Sequence, residues 1–320
     1  MRAYIVRRLG LIIPTLFLVT LIVFFSIRLI PGSTIDLMVM AHQSDYTVED
    51  ISREEIEHRL GLDIPIHVQY GRWISGVIMR GDLGKSLWSE RPVIEGILHR
   101  LPISFELGLI ALVTGLLISL PVGIYSAIRQ DTIGDYLARS VAIICIAVPG
   151  FWLGTMIMVF PSIWWGWSPP MQCVPFFENP MKNLAMFIIP GVILGMVMSG
   201  TTMRMTRTMM LEVMRQDYIR TAWSKGLKER LVIVRHALKN ALIPVVTIVG
   251  MQLPVLIGGS VVLERIFCLP GIGWLMIDAI SARDYPMLSA INLIIASAVL
   301  VINLAVDLTY AYLDPRVHYR

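Results

Sequence analysis

The chain has 320 residues, of which 56% are hydrophobic and only 16% charged, and its mean hydropathy is +0.70. A soluble domain carries about 25% charged residues to face water, so these figures exclude an ordinary soluble fold and point to lipid as a second solvent. The formal charge of +4 and pI near 9.0 fit Lys and Arg retained in cytoplasmic loops; without aromatics interleaved on a soluble fold they do not indicate nucleic acid.

A membrane-crossing helix needs about 20 mostly apolar residues. Six stretches qualify, and the first is residues 9–30. It follows Arg2, Arg7 and Arg8 as the core of a signal peptide would. Its apolar run is too long for one, no small-residue cleavage site follows, and Arg28 closes it. It is therefore expected to remain as a membrane helix, making residues 1–30 the N-terminus and first span. Residues 31–102 form a polar segment rich in acids: Asp36, Asp45, Glu49, Asp50, Glu54, Glu55, Glu57 and Asp63. Within it, residues 47–60 read as an amphipathic helix with Val48, Ile51, Ile56 and Leu60 apolar and Gly61 as its stop. Such a helix suits a cap over a channel mouth or a docking surface for a soluble partner.

The second span is 103–128, the third 140–160, the fourth 184–203, the fifth 241–263 and the sixth 287–313. Together they make a core over residues 103–313, followed by a tail at 314–320. Trp164, Trp165 and Trp167 follow the third span, where an interfacial aromatic belt belongs. Prolines fall in several spans, at Pro14, Pro121, Pro149, Pro190, Pro244 and Pro254. Lipid tolerates them where neighbouring helices satisfy the freed carbonyl, and they read as kinks rather than breaks. Ionisable groups in the spans are few: Glu106 and Asp307, with Arg28 near an end.

Between the spans, positive charge alternates in side. The N-terminal arginines, Arg129 and Arg139, residues 204–240, and Arg316 and Arg320 share one side. The acidic segment and the loops 161–183 and 264–286 share the other. The positive-inside rule places both termini in the cytoplasm and residues 31–102 outside it. Cys173 and Cys268 then lie in outer loops, where a disulfide is one option and free thiols the other.

Residues 204–240 contain Arg204, Arg207, Arg215, Arg220, Lys225, Lys228, Arg230, Arg235 and Lys239, opposed by Glu212, Asp217 and Glu229. Leu211, Met214, Tyr218 and Ala222 recur at spacings of three and four, as one helical face does. Gly226 supplies a C-terminal stop. A second short helix follows with Leu231, Val234 and Leu238 on one side. Thr221, Ala222 and Gly226 are small enough to let another protein approach the backbone.

The run from Asp217 to Leu227, Asp-Tyr-Ile-Arg-Thr-Ala-Trp-Ser-Lys-Gly-Leu, resembles the cytoplasmic "EAA" loop of ABC importer permeases, in the form found in the dipeptide, oligopeptide and nickel branch. Trp223 stands where that pattern has an arginine. Further pieces match in order and spacing: Arg7-Arg8-Leu9 with Pro31-Gly32; Gly81-Asp82-Leu83-Gly84 with Ser86; Pro102 with Glu106-Leu107-Gly108; and Pro149 with Phe151. Pro270-Gly271 with Gly273, then Arg283-Asp284-Tyr285-Pro286, then Asp314-Pro315-Arg316 complete the series. The resemblance implies an all-α integral membrane protein with six transmembrane helices, similar to type I ABC importer permeases, with an extracytoplasmic segment between helices 1 and 2. It implies a loop, 211–228, that couples to an ATPase through Asp217, Tyr218, Arg220, Thr221, Ala222, Lys225 and Gly226. It also implies a homologous second permease subunit, two ATPase subunits and an extracytoplasmic substrate-binding protein as partners. ATP and magnesium are expected on the ATPases, with no cofactor bound by this chain.

Several patterns that suggest other chemistry do not hold. Gly84-Lys85-Ser86 ends like a phosphate-binding loop, but Met79 stands where that motif needs its first glycine. The six histidines form no H-E-x-x-H motif, and Ser260 lacks the glycine pattern of a nucleophile elbow. The expected function is therefore ATP-driven import, with peptides as cargo. Nickel or oligosaccharide import and a gradient-driven secondary transporter are the alternatives. The last needs buried carboxylates or broken helices near the midplane.

Overall fold

The computed structural model describes residues 2–29, 34–43, 54, 57–58, 61–170, 172–258 and 260–313. Within lipid, a backbone must satisfy its own hydrogen bonds, and a helix does so inside one segment. The described residues are accordingly helical, and their one β feature is an isolated bridge between Lys85 and Pro92. In chain order the helices are α1 (Arg2–Arg28), α2 (Thr34–Gln43), α3 (Ile66–Arg80), α4 (Val93–Ile128), α5 (Ile133–Ala147), α6 (Gly150–Trp165), α7 (Pro180–Met214) and α8 (Asp217–Ser224). Then come α9 (Glu229–Leu231), a π-helical turn (Val232–Leu238), α10 (Lys239–Gln252), α11 (Val255–Gly258), α12 (Val261–Ile266), α13 (Ile272–Ala282) and α14 (Tyr285–Leu313).

Five stretches are long and apolar enough to cross a membrane: Gly10–Arg28, Val93–Ile128, Pro180–Met214, Glu229–Ile266 and Tyr285–Val306. The sixth crossing is the pair α5 and α6, which qualifies only as a pair and is bent by 87°. All six expected spans thus coincide with helix, but two prolines do more than kink it. Pro14, Pro121, Pro190 and Pro244 lie inside continuous helices. At Pro149 the helix breaks: a proline ring disfavours the helical conformation in the residue before it, and here Val148 is extended, with ψ 119°. Near Pro254 the fifth crossing also divides, into α10, α11 and α12. The helix expected over 47–60 falls outside the described residues, apart from Glu54, Glu57 and His58, as do Pro31-Gly32 and Asp314-Pro315-Arg316.

The centre of the bundle is the pairing of α4 with α7. Small buried residues make it possible: Gly108, Ala111, Gly115 and Ser119 on α4, and Gly191, Gly195 and Ser199 on α7. A Cβ on Gly195 would sit 2.7 Å from the Ala111 carbonyl oxygen and 3.0 Å from the Gly115 nitrogen. The two backbones therefore touch. Lipid offers helices no hydrophobic reason to associate, and such close van der Waals contact supplies one. Around this pair, α1 packs on α14, α5 on α7, and α10 on both α7 and α14.

Three apolar clusters lie along α4. One end holds Val93 and Ile97 with Ile272, Leu288 and Ile291. The middle holds Leu107 with Phe187, Leu263 and Phe267. The other end holds Ala127 with Met210, Ile219 and Val232. The described part of residues 31–102 is tied to the first of these ends. Ser86 Oγ donates to Asp284 Oδ2 at 2.5 Å, Trp88 Nε1 to the Ala282 carbonyl at 2.8 Å, and Thr34 Oγ1 to the Arg283 carbonyl at 2.7 Å. Two of the matched motifs, 81–86 and 283–286, thus hold each other. The Ser86 hydroxyl of the phosphate-loop look-alike is committed to a carboxylate.

Candidate functional site

At the end of the bundle opposite Val93, the short helix α8 lies across α4, α7 and the π-helical turn. Asp217 opens it, where a negative charge favours the helix dipole. Its buried side is Ile219 and Ala222, which join Ala127, Met210, Val232, Ile233 and Ala237. Its free side carries Asp217, Tyr218, Arg220, Thr221, Trp223 and Ser224, with Lys225 and Gly226 following, all exposed. Gly226 ends the helix in the left-handed region, with φ +75°, and its N–H donates to the Trp223 carbonyl at 2.9 Å. A Cβ there would meet nothing within 4 Å, so backbone conformation alone requires glycine.

Three expectations need correction here. The face of Leu211, Met214, Tyr218 and Ala222 is not one face of one helix. Leu211 and Met214 end α7, a turn at Arg215 and Gln216 intervenes, and Tyr218 is exposed. Tyr218 Oη instead accepts a hydrogen bond from Asn240 Nδ2 at 2.8 Å, tying α8 to α10. Ala222 is packed against the protein's own core, so it does not lie open to a partner; Thr221 and Gly226 do. In the second helix the buried side is Val232, Ile233 and Ala237, while Leu231 and Val234 are exposed. The π geometry pairs residues five apart, which a spacing of three and four does not foresee.

Beneath α8 lies a polar cluster that the sequence does not announce. Asp135, fully buried at the start of α5, receives Arg207 of α7 in a two-pronged contact: Nε to Oδ1 and Nη2 to Oδ2, each at 2.8 Å. Ser126 Oγ of α4 also donates to Asp135 Oδ1, and the Asp131 N–H donates to Oδ2 at 3.0 Å. Arg139, one turn along α5, approaches the same carboxylate at 3.4 Å. Three crossings therefore converge on one ion pair beside the seat of α8. Arg207 is not part of a solvated basic loop, as its place among the loop charges suggests. Arg220 is solvated: it pairs with Asp217 at 3.5 Å with both side chains largely exposed, a contact worth about 0–1 kcal/mol.

A second buried carboxylate sits toward the opposite end. Glu264, expected in an outer loop, is fully buried. Ser104 Oγ donates to its Oε1 at 2.8 Å, and the Trp274 N–H to its Oε2 at 2.9 Å. It caps the start of α13. Pro270-Gly271 and Gly273 are explained by it, since a Cβ on Gly271 would lie 2.5 Å from Ser104 Oγ and 2.6 Å from Glu264 Cδ. Buried carboxylates and broken helices are thus commoner than the sequence suggests. Each carboxylate, however, is held by fixed donors.

Among the remaining groups, Glu106 accepts from Asn183 Nδ2 at 3.2 Å, and the side chain of Asp307 lies outside the described residues. Cys173 and Cys268 are free thiols, and burial pushes the Cys173 thiol up, with the Glu106 carboxylate adding to the effect. Among the described residues no group of three or more His, Cys, Asp or Glu is placed to hold a metal ion.

Comparison with known proteins covers nearly the whole chain. Residues 119–319 match the profile of the binding-protein-dependent transport system inner membrane component, and residues 1–108 match that family's N-terminal membrane component. A Brucella suis biovar 1 protein, provisionally named a peptide transport system permease protein, is 40% identical over 319 residues, covering 100% of both chains. The dipeptide transport system permease protein DppB of Escherichia coli K12 is 36% identical over 343 residues, again across 100% of both. Among solved structures, the inward-facing MetNI methionine ABC transporter matches with a TM-score of 0.52 at 15% identity, over 69% of this chain and 97% of that one. At that identity the likeness is one of fold.

Proposed function

The chain belongs to the family of binding-protein-dependent transport system inner membrane components, the multi-pass membrane subunits of ABC importers, and on that premise we propose that it imports di- and oligopeptides and is driven through α8. The names of the relatives, peptide and dipeptide permeases, support that cargo over nickel or oligosaccharides. Family membership also disfavours a gradient-driven transporter. In this reading both termini are cytoplasmic and α8 fits a cleft on an ATPase subunit. A homologous permease subunit, a second ATPase and an extracytoplasmic binding protein complete the assembly. ATP and magnesium bind the ATPases.

The observation that carries the coupling role is the two-sidedness of α8. Ile219 and Ala222 anchor it to α4, α7 and the π-helical turn, while Arg220, Thr221 and Trp223 are exposed on the other side. A force on the outer side is delivered to the ends of several crossings at once. Such a force shifts the inward- and outward-open states only if the ATPase contacts α8 differently in the two.

The test uses Ser224→Cys, an exposed position on the free side. It is expected to label only from the cytoplasm and to cross-link to a copurifying ATPase subunit. Labelling from outside the cell would reverse the topology, and cytoplasmic labelling without a cross-link to an ATPase would remove the docking role. Gly226→Trp, forced into a left-handed conformation, is expected to insert normally yet lose substrate-stimulated ATP hydrolysis.

A further inference from the structure

The helix α3 belongs to no crossing and has no buried residue. Its sequence, Ile-His-Val-Gln-Tyr-Gly-Arg-Trp-Ile-Ser-Gly-Val-Ile-Met-Arg, is amphipathic and contains no Asp or Glu, while Arg72 and Arg80 make it basic. Its apolar residues Ile78 and Met79 are 76% and 82% exposed. Water is a poor environment for that surface. Tyr70 Oη hydrogen-bonds Thr20 Oγ1 at 2.9 Å. Thr20 lies eight residues inside the span Gly10–Arg28 from its Arg28 end, about 12 Å along the helix axis at 1.5 Å per residue. Tyr70 and Trp73 also pack about Phe24 of the span, edge-on and tilted, with ring centroids 5.2 and 5.6 Å away. The aromatic side chains of α3 therefore reach the last turns of α1, which suits an amphipathic helix at a membrane interface.

Between α1, α3 and the start of α14 is a cavity of about 250 Å³. Among the described residues its lining includes Arg28, Arg72 and Trp73, and no carboxylate. The Arg28 guanidinium lies 3.5 Å from the Phe24 ring centre and donates to Gln69 Oε1 at 3.2 and 2.9 Å. Gln69 is itself fixed by its amide, which donates to the Ile64 carbonyl at 2.8 Å. Arg28 is thus held in place, and neither it nor Arg72 has an ion pair among the described residues. Two cations therefore line one cavity.

We propose that this cavity binds the phosphate of an acidic phospholipid, with α3 lying in the headgroup layer and its exposed apolar face among the acyl chains. Arg28 and Arg72 supply charge, and Phe24, Trp73 and Tyr285 wall the site. The lipid would join the first span to the sixth through their shared end.

The test is native mass spectrometry of the full chain, purified in mild detergent with the subunits that accompany it and offered phosphatidylglycerol or phosphatidylcholine. One phosphatidylglycerol per chain is expected to survive delipidation, while phosphatidylcholine washes off. Arg28→Gln combined with Arg72→Gln removes both cations and keeps the aromatic walls. It is expected to weaken retention at least about tenfold. If that double variant does not insert, Arg72→Gln alone serves, with a several-fold loss expected. Equal retention of both lipids, or unchanged retention in the variant, overturns the proposal. So does glycerol 3-phosphate displacing the lipid at millimolar concentration, which would mark a site for free anions.

Discussion

Asp135 and Glu264 are both fully buried carboxylates at helix junctions, yet they are satisfied by opposite means. Asp135 meets a cation, Arg207, and its partners come from α4, α5 and α7. Glu264 meets a hydroxyl and the backbone N–H of a helix start, with glycines clearing the space. The first arrangement joins elements through side chains that can separate. The second joins α4 to the start of α13 through one side-chain hydroxyl and one backbone N–H, with no opposite charge in direct contact. Charge pairing is found where the bundle meets α8, and backbone capping where the fifth crossing turns back into α13.

The comparison can be broken most forcefully at Arg207. Arg207→Met leaves the buried Asp135 with only the more distant Arg139, at 3.4 Å, to oppose its charge, and is expected to cost up to about 3–5 kcal/mol, read as a lowered melting temperature of the purified protein. Adding Asp135→Asn should recover part of that loss, since the stranded charge is gone. Gly271→Ala comes next. The new methyl would overlap Ser104 and Glu264, and overpacking of this kind costs about 1–3 kcal/mol. Glu264→Gln sharpens the contrast. Its oxygen still accepts from Trp274, and its amide can donate to Ser104 Oγ, so a change within about 1 kcal/mol is expected. A loss as large as that of Arg207→Met would erase the distinction between the two sites. The smallest effect on stability belongs to Arg220→Ala, about 0–1 kcal/mol, while substrate-stimulated ATP hydrolysis is expected to fall. An unchanged ATPase response there would remove Arg220 from the docking face.

Much of this architecture is legible in the sequence because lipid imposes a simple rule on segment length. Four of the six expected spans are continuous helix, the third and fifth being divided, and Gly226 ends α8 as its residue type demands. What was hidden depends on partners far apart in the chain. Arg207 looks like one more positive charge in a basic loop, because its partner Asp135 is 72 residues away and unmarked by any motif. Glu264 looks like a loop residue for the same reason: Ser104, its hydroxyl donor, is 160 residues earlier. The break between α7 and α8 carries neither proline nor glycine, so periodicity runs straight through it and assigns Tyr218 to the wrong side. Pro149 was visible as a residue, but a proline in a span does not declare whether it bends the helix or ends it. That depends on whether the preceding residue is held helical, and Val148 is not.

The π-helical turn at Val232–Leu238 has a consequence for engineering and for descent. Such a turn is an α-helix that has absorbed one extra residue without unwinding. Removing a single residue there would restore ordinary α geometry and turn the chain just before it by about 100° relative to α10. The place that Val232, Ile233 and Ala237 give to Ile219 and Ala222 would be lost with it. One codon at the start of the fifth crossing thus bears on how α8 is seated, and its gain or loss is a route by which a lineage can reseat that helix.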